Sequence, residues 1–285
     1  MRGQPSLSGL HTFRITTNGI HVYAPPQLQC STLQKSPLAC NERIGTGVEE
    51  LDEMMGGGIP RGYSLLIAGP SGSGKSVIAS AFLVEGARKG ETGVIAAFEQ
   101  RPKWSRGKEL ADLVDLDKIG VVDTQATTLS VDEVSRLIIA EVNRLKASRV
   151  VIDSLSGFEL ALAPTFREDF RESLAQMVSA LANVGVTVLM TSELEDRYTD
   201  LRFSPYGTAF LTDAIIVQRY IEVDSRLLRV MAVVKVRGSM HSNELRLFNI
   251  DDKGITIGKR VDELEGLLGG RPTQRKKHSS NISHV

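Results

Sequence analysis

Gly69-Pro-Ser-Gly-Ser-Gly-Lys-Ser76 carries the pattern G-x-x-x-x-G-K-[ST]. Each part of it has a use on a polyphosphate. Gly69, Gly72 and Gly74 open turn conformations that a Cβ forbids. The N–H groups of Ser71, Gly72, Ser73 and Gly74 can then point inward at phosphate oxygens, at the positive end of the following helix. Lys75 reaches β- and γ-phosphates, and the Ser76 hydroxyl ligates magnesium. A Gly/Ser-rich surface turn would need no particular flanks. Here Ser64-Leu-Leu-Ile-Ala68 reads as a buried strand just before the loop, and Val77-Ile-Ala-Ser-Ala-Phe-Leu83 as a helix just after it. Strand, loop and helix are the setting a nucleoside triphosphate site requires, so ATP with magnesium is the expected ligand.

Working outward, apolar runs alternate with amphipathic stretches from about residue 43 to 260. Strands are expected at Ser64 to Ala68, Val94 to Phe98, Gly120 to Val122, Val150 to Ile152, Val186 to Met190, Ala214 to Val217 and Leu228 to Val236. Val131, Val134, Leu137, Ile138, Val142 and Leu145 form one helical stripe, with Ser130 and Glu133 as a capping box. Phe166, Phe170, Leu174, Met177, Val178, Leu181 and Val184 form another. Strands alternating with helices imply parallel β-α-β units. After Val186 strands follow one another closely. The expected fold is therefore α/β, a mostly parallel central sheet flanked by helices, with antiparallel hairpins at the C-terminal side.

Composition narrows the function. The 285 residues are 41% hydrophobic, enough for one large α/β domain with extensions or two small ones. Lysine plus arginine number 34 and aspartate plus glutamate 34, so the net charge is zero. That gives no general attraction to nucleic acid or an acidic membrane. Aromatics at 5% are sparse for a single-strand stacking platform. Cys30 and Cys40 lie in a polar, proline-bearing stretch and have no metal-ligand spacing. With no signal-peptide pattern and no apolar run long enough to span a membrane, the chain reads as a reduced cytoplasmic protein. A Cys30–Cys40 disulfide is the weaker reading.

Several polar residues stand where a nucleotide site would use them. Arg149-Val-Val-Ile-Asp153 is an apolar strand ending in a carboxylate. Many strands end in Asp as a turn residue, but downstream of a phosphate loop Asp153 is expected to hold magnesium through water. Glu99 ends Val94-Ile-Ala-Ala-Phe98 and could polarise a water for in-line attack on the γ-phosphate. It could also be an ordinary polar strand end. Gln100, which follows, can orient a water and cannot take a proton. Thr191-Ser192-Glu193 closes another strand toward the nucleotide crevice, to contact phosphate or to cap the next segment. Lys235 and Arg237 sit two apart on a late strand and share a face. They read either as a solvated face or as cations offered to another subunit's phosphate, in the manner of an arginine finger.

The chain also repeats itself. At an offset of 235, Arg2-Gly3 matches Arg237-Gly238, Leu10 matches Leu245, Phe13 matches Phe248, Ile15 matches Ile250, and Gly19-Ile20 matches Gly254-Ile255. That is seven identities in 21 positions, at strand and turn landmarks. Shared hairpin chemistry could produce it. The stronger reading is that residues 1–28 resemble the terminal hairpin of a preceding, related domain. Residues 29–42 follow as a linker, 43–268 as the ATPase domain, and 269–285, with Arg275-Lys-Lys-His278, as a disordered basic tail. Residues 1–28 are expected to be poorly ordered or to pack only loosely on the surface of that domain.

Gly47-Val-Glu-Glu-Leu-Asp-Glu-Met-Met-Gly-Gly-Gly-Ile-Pro-Arg-Gly62 resembles the lead-in of KaiC-like ATPases of the RecA superfamily. So do the loop, Phe98-Glu99, Ile152-Asp-Ser-Leu-Ser156, Met190-Thr-Ser-Glu193 and Lys235-Val-Arg-Gly-Ser-Met-His241. The resemblance spans about residues 43 to 268. It implies a RecA-like core, a homo-oligomeric, hexameric ring, and ATP held between subunits. It implies Glu99 as catalytic base, and Lys235, Val236, Arg237, Ser239 and His241 reaching the nucleotide of the adjacent subunit. A regulatory protein partner on the C-terminal tail fits the same reading. Two departures matter. The family commonly has two adjacent glutamates where this chain has Glu99-Gln100. The autophosphorylated Ser-Thr pair of the family's two-domain members is replaced by Ala209-Phe210, with Thr208 the nearest hydroxyl and Thr212-Asp213 retained. A ring-forming regulatory ATPase therefore ranks first, a RecA/RadA-like DNA-binding recombination accessory ATPase second, and an autokinase third.

Overall fold

The apolar runs assemble as one large sheet. In the computed structural model, residues 12–23, 42–98, 108–123, 130–162, 170–194 and 211–261 are described, with short strands at 264–265 and 273–274. In chain order the elements are β1 (Thr12–Thr16), β2 (Gly19–Tyr23), β3 (Arg43–Ile44), α1 (Glu49–Met54), β4 (Ile59–Pro60), β5 (Ser64–Gly69), α2 (Lys75–Arg88) and β6 (Gly93–Ala97). Then come α3 (Lys108–Asp115), β7 (Ile119–Asp123), α4 (Val131–Leu145), β8 (Arg149–Asp153), α5 (Leu155–Ala161), α6 (Phe170–Asn183) and β9 (Thr187–Glu193). The chain continues with β10 (Ala214–Val223), β11 (Arg226–Val236), β12 (Arg246–Asp251), β13 (Gly254–Arg260), β14 (Leu264–Glu265) and β15 (Thr273–Gln274).

Nine strands pair in the order β13-β12-β11-β10-β5-β9-β8-β6-β7. The six from β10 to β7 are mutually parallel, and β11, β12 and β13 add on antiparallel. Every residue of β5 and β6 is buried, as strands covered on both faces must be. On one face α4, α5 and α6 contribute Val134, Ile138, Phe158, Leu174 and Met177 to the core. On the other, α1, α2 and α3 contribute Leu51, Met54, Phe82, Leu83 and Leu110. The expected α/β fold, with its parallel sheet and C-terminal antiparallel strands, is the one observed.

Details depart from expectation for local reasons. Ser130 Oγ accepts from the Glu133 N–H at 3.2 Å, so half of the capping box forms. The Glu133 carboxylate instead accepts from Arg14 Nη2 at 2.8 Å and from the Tyr23 hydroxyl at 3.1 Å, which docks the β1–β2 hairpin on α4. Leu137 and Val184, placed on buried stripes by their spacing, are exposed. Residues 163–169 of the second expected stripe lie outside the described residues. α1, α3 and α5 were not expected; none exceeds eight residues, too short for a periodic signal.

The hairpin β1–β2 forms a two-stranded sheet by itself. Its register pairs Phe13 with Val22, Ile15 with Ile20 and Thr16 with Gly19. In β12–β13 the pairs are Phe248 with Ile257, Ile250 with Ile255 and Asp251 with Gly254. Adding 235 to the first set produces the second, so the sequence repeat is also a register repeat. Phe248 and Ile257 are buried at 2% and 5%, whereas Phe13, Ile15, Ile20 and Val22 are 56–73% exposed.

Candidate nucleotide-binding site

β5 ends at the loop, between its neighbours β9 and β10. Two of the three glycines need a left-handed backbone, Gly72 at φ +74° and Gly74 at φ +97°. Gly69 is different. Its requirement is close approach, because a Cβ there would stand 2.9 Å from both Ser73 Oγ and Gln218 Cβ. The Ser73 hydroxyl donates to Gln218 Oε1 at 2.9 Å, fully buried, so the Ser73 side chain braces the loop against β10 and this residue offers a phosphate only its main chain. The Tyr220 hydroxyl, two residues on, lies 3.5 Å from the Ser71 carbonyl oxygen. Sequence reading passed over Gln218 and Tyr220, since nothing in spacing links β10 to the loop. Lys75 Nζ donates to the carbonyls of Gly69 and Pro70 at 2.9 and 2.8 Å, which holds its charge at the mouth of the loop. No side chain caps α2, so its positive end faces the loop.

Asp153 ends β8, which is separated from β5 by β9. The structure nonetheless brings it to the loop: Ser76 Oγ lies 3.3 Å from Asp153 Oδ1. The Thr191 hydroxyl on the intervening strand donates to the same oxygen at 2.6 Å. Ser192 turns to the opposite face and is buried, with no hydrogen-bond partner for its Oγ among the described residues. Glu193 is exposed at the strand end, and its N–H donates to Ser156 Oγ at 3.3 Å. Hydroxyl and carboxylate oxygens at this spacing suit a hard divalent cation such as magnesium.

Glu99 and Gln100 lie outside the described residues. Their attachment point is well defined. The Phe98 N–H donates to the Asp153 carbonyl at 3.0 Å. The Phe98 ring stacks on Phe158 at 4.4 Å, and Phe158 meets Phe170 edge-on at 5.3 Å.

The other predicted residues sit elsewhere. Ile215 pairs with Leu66 on one side and Lys235 on the other, so the basic pair is at the end of the sheet opposite the loop. Lys235 Nζ donates to the Thr212 carbonyl at 2.6 Å, and Arg237 Nη1 to Asp213 Oδ1 at 3.1 Å. Burial of the amine, and then the Arg237 charge, lowers the Lys235 pKa against the pull of Asp213. Val236 is buried. Ser239 receives a hydrogen bond from Arg43 Nη2, and His241 Nδ1 lies 3.5 Å from the Ser239 carbonyl oxygen. Arg43 also donates to the carbonyls of Met55 and Gly58 at 3.1 and 2.7 Å. It ties the 237–242 loop to the turn after α1, a role that no motif announced. Met240, at the tip, is 91% exposed. The phosphoacceptor positions 208–210 lie outside the described residues.

A parallel sheet with a phosphate loop on β5, an acidic strand end two strands away and antiparallel strands beyond β10 define a RecA-like P-loop ATPase domain. The chain belongs to the KaiC ATPase family, whose family model matches residues 44–262. It is 28% identical over 280 residues to the circadian clock oscillator protein KaiC of Rippkaea orientalis, covering 96% of this chain and 52% of that protein. The circadian clock protein KaiC3 of Synechocystis is 29% identical over 248 residues, covering 85% and 48%. The chain thus spans about half the length of the curated relatives it matches. The crystal structure of the KaiC-like protein PH0186 from Pyrococcus horikoshii superimposes with a TM-score of 0.68 at 30% identity, covering 76% of this chain and 99% of that one.

Proposed function

We propose that this chain binds ATP and magnesium on the 69–76 loop and hydrolyses the nucleotide at the interface between subunits of a homo-oligomeric ring, acting as a cytoplasmic regulatory ATPase. Lys75 meets the β- and γ-phosphates, and the loop N–H groups, including those of Ser71, Gly72 and Gly74, line the cradle. Ser76 and Asp153 hold the magnesium ion, which neutralises charge on the phosphate oxygens. Glu99, next in sequence after Phe98, takes the proton of the attacking water. Lys235 and Arg237 of the adjacent subunit face the charge that develops on the γ-phosphate, with Ser239 and His241 shaping that loop. A hexamer is the ring that the family implies, and a regulatory partner on the tail is part of the same reading.

One observation carries the interface assignment. Asp213, which holds Arg237, bonds to Ser64 at the start of β5, five residues from Gly69. That is roughly 16 Å along the strand, beyond the reach of an arginine side chain. The finger therefore cannot serve its own loop, and another subunit's nucleotide is its natural target.

The test is complementation. Lys75→Ala abolishes ATP binding and Arg237→Ala abolishes hydrolysis. Rings mixed from the two regain part of the activity, because an intact loop then meets an intact finger. No recovery in rings shown to be mixed overturns the interface reading.

The hairpin β1–β2 supports a second, smaller proposal. Its register match to β12–β13 supports its descent from the terminal hairpin of a preceding domain of the same kind.

A further inference from the structure

We infer that Thr191 is a positioning residue for the metal site, aiming the Asp153 carboxylate at the cation that Ser76 shares. The inference rests on the nucleotide-site reading and deepens it.

The topology creates the need. β9 lies between β5 and β8, so the loop strand and the Asp153 strand are two spacings apart, about 9.6 Å. Thr191 stands on that middle strand, registered with Ile67 of β5 and one residue past Met190, which is registered with Ile152. Its Oγ1 donates to Asp153 Oδ1 at 2.6 Å, and Ser76 Oγ reaches the same oxygen at 3.3 Å. Two hydroxyls from two different elements therefore converge on one carboxylate oxygen. Asp153 Oδ2 has no hydrogen-bond partner among the described residues. Thr191 is fully buried and β-branched, so its χ1 is stiff and its hydroxyl is out of contact with bulk water. The carboxylate is thereby turned with one oxygen held by protein and the other left for the hydrated ion.

Hydrogen bonds behind a metal-holding group usually set its direction, and their loss typically costs ten- to hundredfold in metal affinity. A buried threonine hydroxyl could instead serve only to satisfy itself. The two roles differ in one observable, the magnesium dependence of nucleotide binding.

The experiment uses the full chain with Thr191→Val, Thr191→Ala and Thr191→Ser, and Lys75→Ala as control. Binding of a fluorescent ATP analogue is titrated in EDTA and across a magnesium series. All three Thr191 variants are expected to match the unmodified chain in EDTA. Valine and alanine should raise the magnesium concentration for half-effect about tenfold or more, and serine should restore it. If the valine protein does not fold, the alanine and serine pair decides. Unchanged magnesium dependence in valine or alanine overturns the inference. So does a serine variant as weak as alanine, or a loss of affinity in EDTA, either of which would mean that packing is what matters. An unmodified chain that binds the analogue no better than Lys75→Ala overturns the nucleotide site itself.

Discussion

Arg149 shows how far the fold will go to satisfy one side chain. It is fully buried at the start of β8, its guanidinium 4.6 Å above the Phe82 ring. Nε donates to Glu91 at 2.5 Å, and Nη1 to the carbonyls of Gly45 and Phe82 at 2.8 Å each. Nη2 has no partner among the described residues. Glu91 also accepts from Arg61 at 2.7 Å. Burial alone would raise the Glu91 pKa, but the two guanidinium groups outweigh it and hold the carboxyl below its ordinary value. A depressed carboxylate stabilises the fold above its unfolded pKa, near 4.3, and loses that contribution as pH falls through the folded value. Glu91→Gln should therefore cost about 3 kcal/mol at pH 7, because Arg149 is left uncompensated. The gap between variant and parent should narrow below about pH 4. Urea unfolding at both pH values reads this, and a gap that does not narrow would show that Glu91 acts through shape rather than charge. Glu99→Gln is expected to keep nucleotide binding and slow hydrolysis by roughly 10²- to 10⁴-fold. Steady-state turnover close to the parent would assign the water to another group.

Strands of one sequence type can end in opposite environments, and the two hairpins make that plain. β1–β2 and β12–β13 share a register at an offset of 235, yet only the second closes over α2. A Cβ on Gly74 would run into Ile250, so the β12–β13 hairpin packs directly on the loop's C-terminal glycine. The first is held by polar contacts to α4: Arg14 and Tyr23 to Glu133, and Arg136 Nη1 to the Val22 carbonyl at 3.2 Å. Phe248→Ala should cost about 3–5 kcal/mol, the usual range for a core phenylalanine. Phe13→Ala should fall within about 0.5 kcal/mol of neutral, as exposed substitutions do. Chemical denaturation of the two variants settles it, and equal costs would mean that the first hairpin is an integral part of this domain's core.

Taken whole, the molecule is polarised. The loop, Asp153 and Thr191 gather where the parallel strands end, and Lys235, Arg237 and the exposed Met240 project from the opposite end of β10 and β11. If the basic pair serves a nucleotide, as proposed above, that nucleotide belongs to another copy of the chain. Light scattering is expected to report a particle several times the 31.1 kDa of one chain when ATP and magnesium are present. A monomer under those conditions that still hydrolyses ATP would refute the shared site.

The succession of strands, the loop and the acidic strand end were readable because they rest on local chemistry. Glycines at 72 and 74 mark a left-handed turn, apolar runs mark strands buried on both faces, and a carboxylate after Val150-Val-Ile152 marks a strand end. The short helices were not readable, because six to eight residues carry too little periodicity. Nor was the exposure of Leu137, since a stripe says which residues could be buried and not what arrives to cover them. Gln218 behind Ser73, Arg43 behind Ser239 and Thr191 behind Asp153 join residues 145, 196 and 38 positions apart. Such partners are set by strand order and register, which depend on how the whole sheet packs. Motif chemistry is local and survives in one dimension. The side chains that aim it are neighbours only after folding.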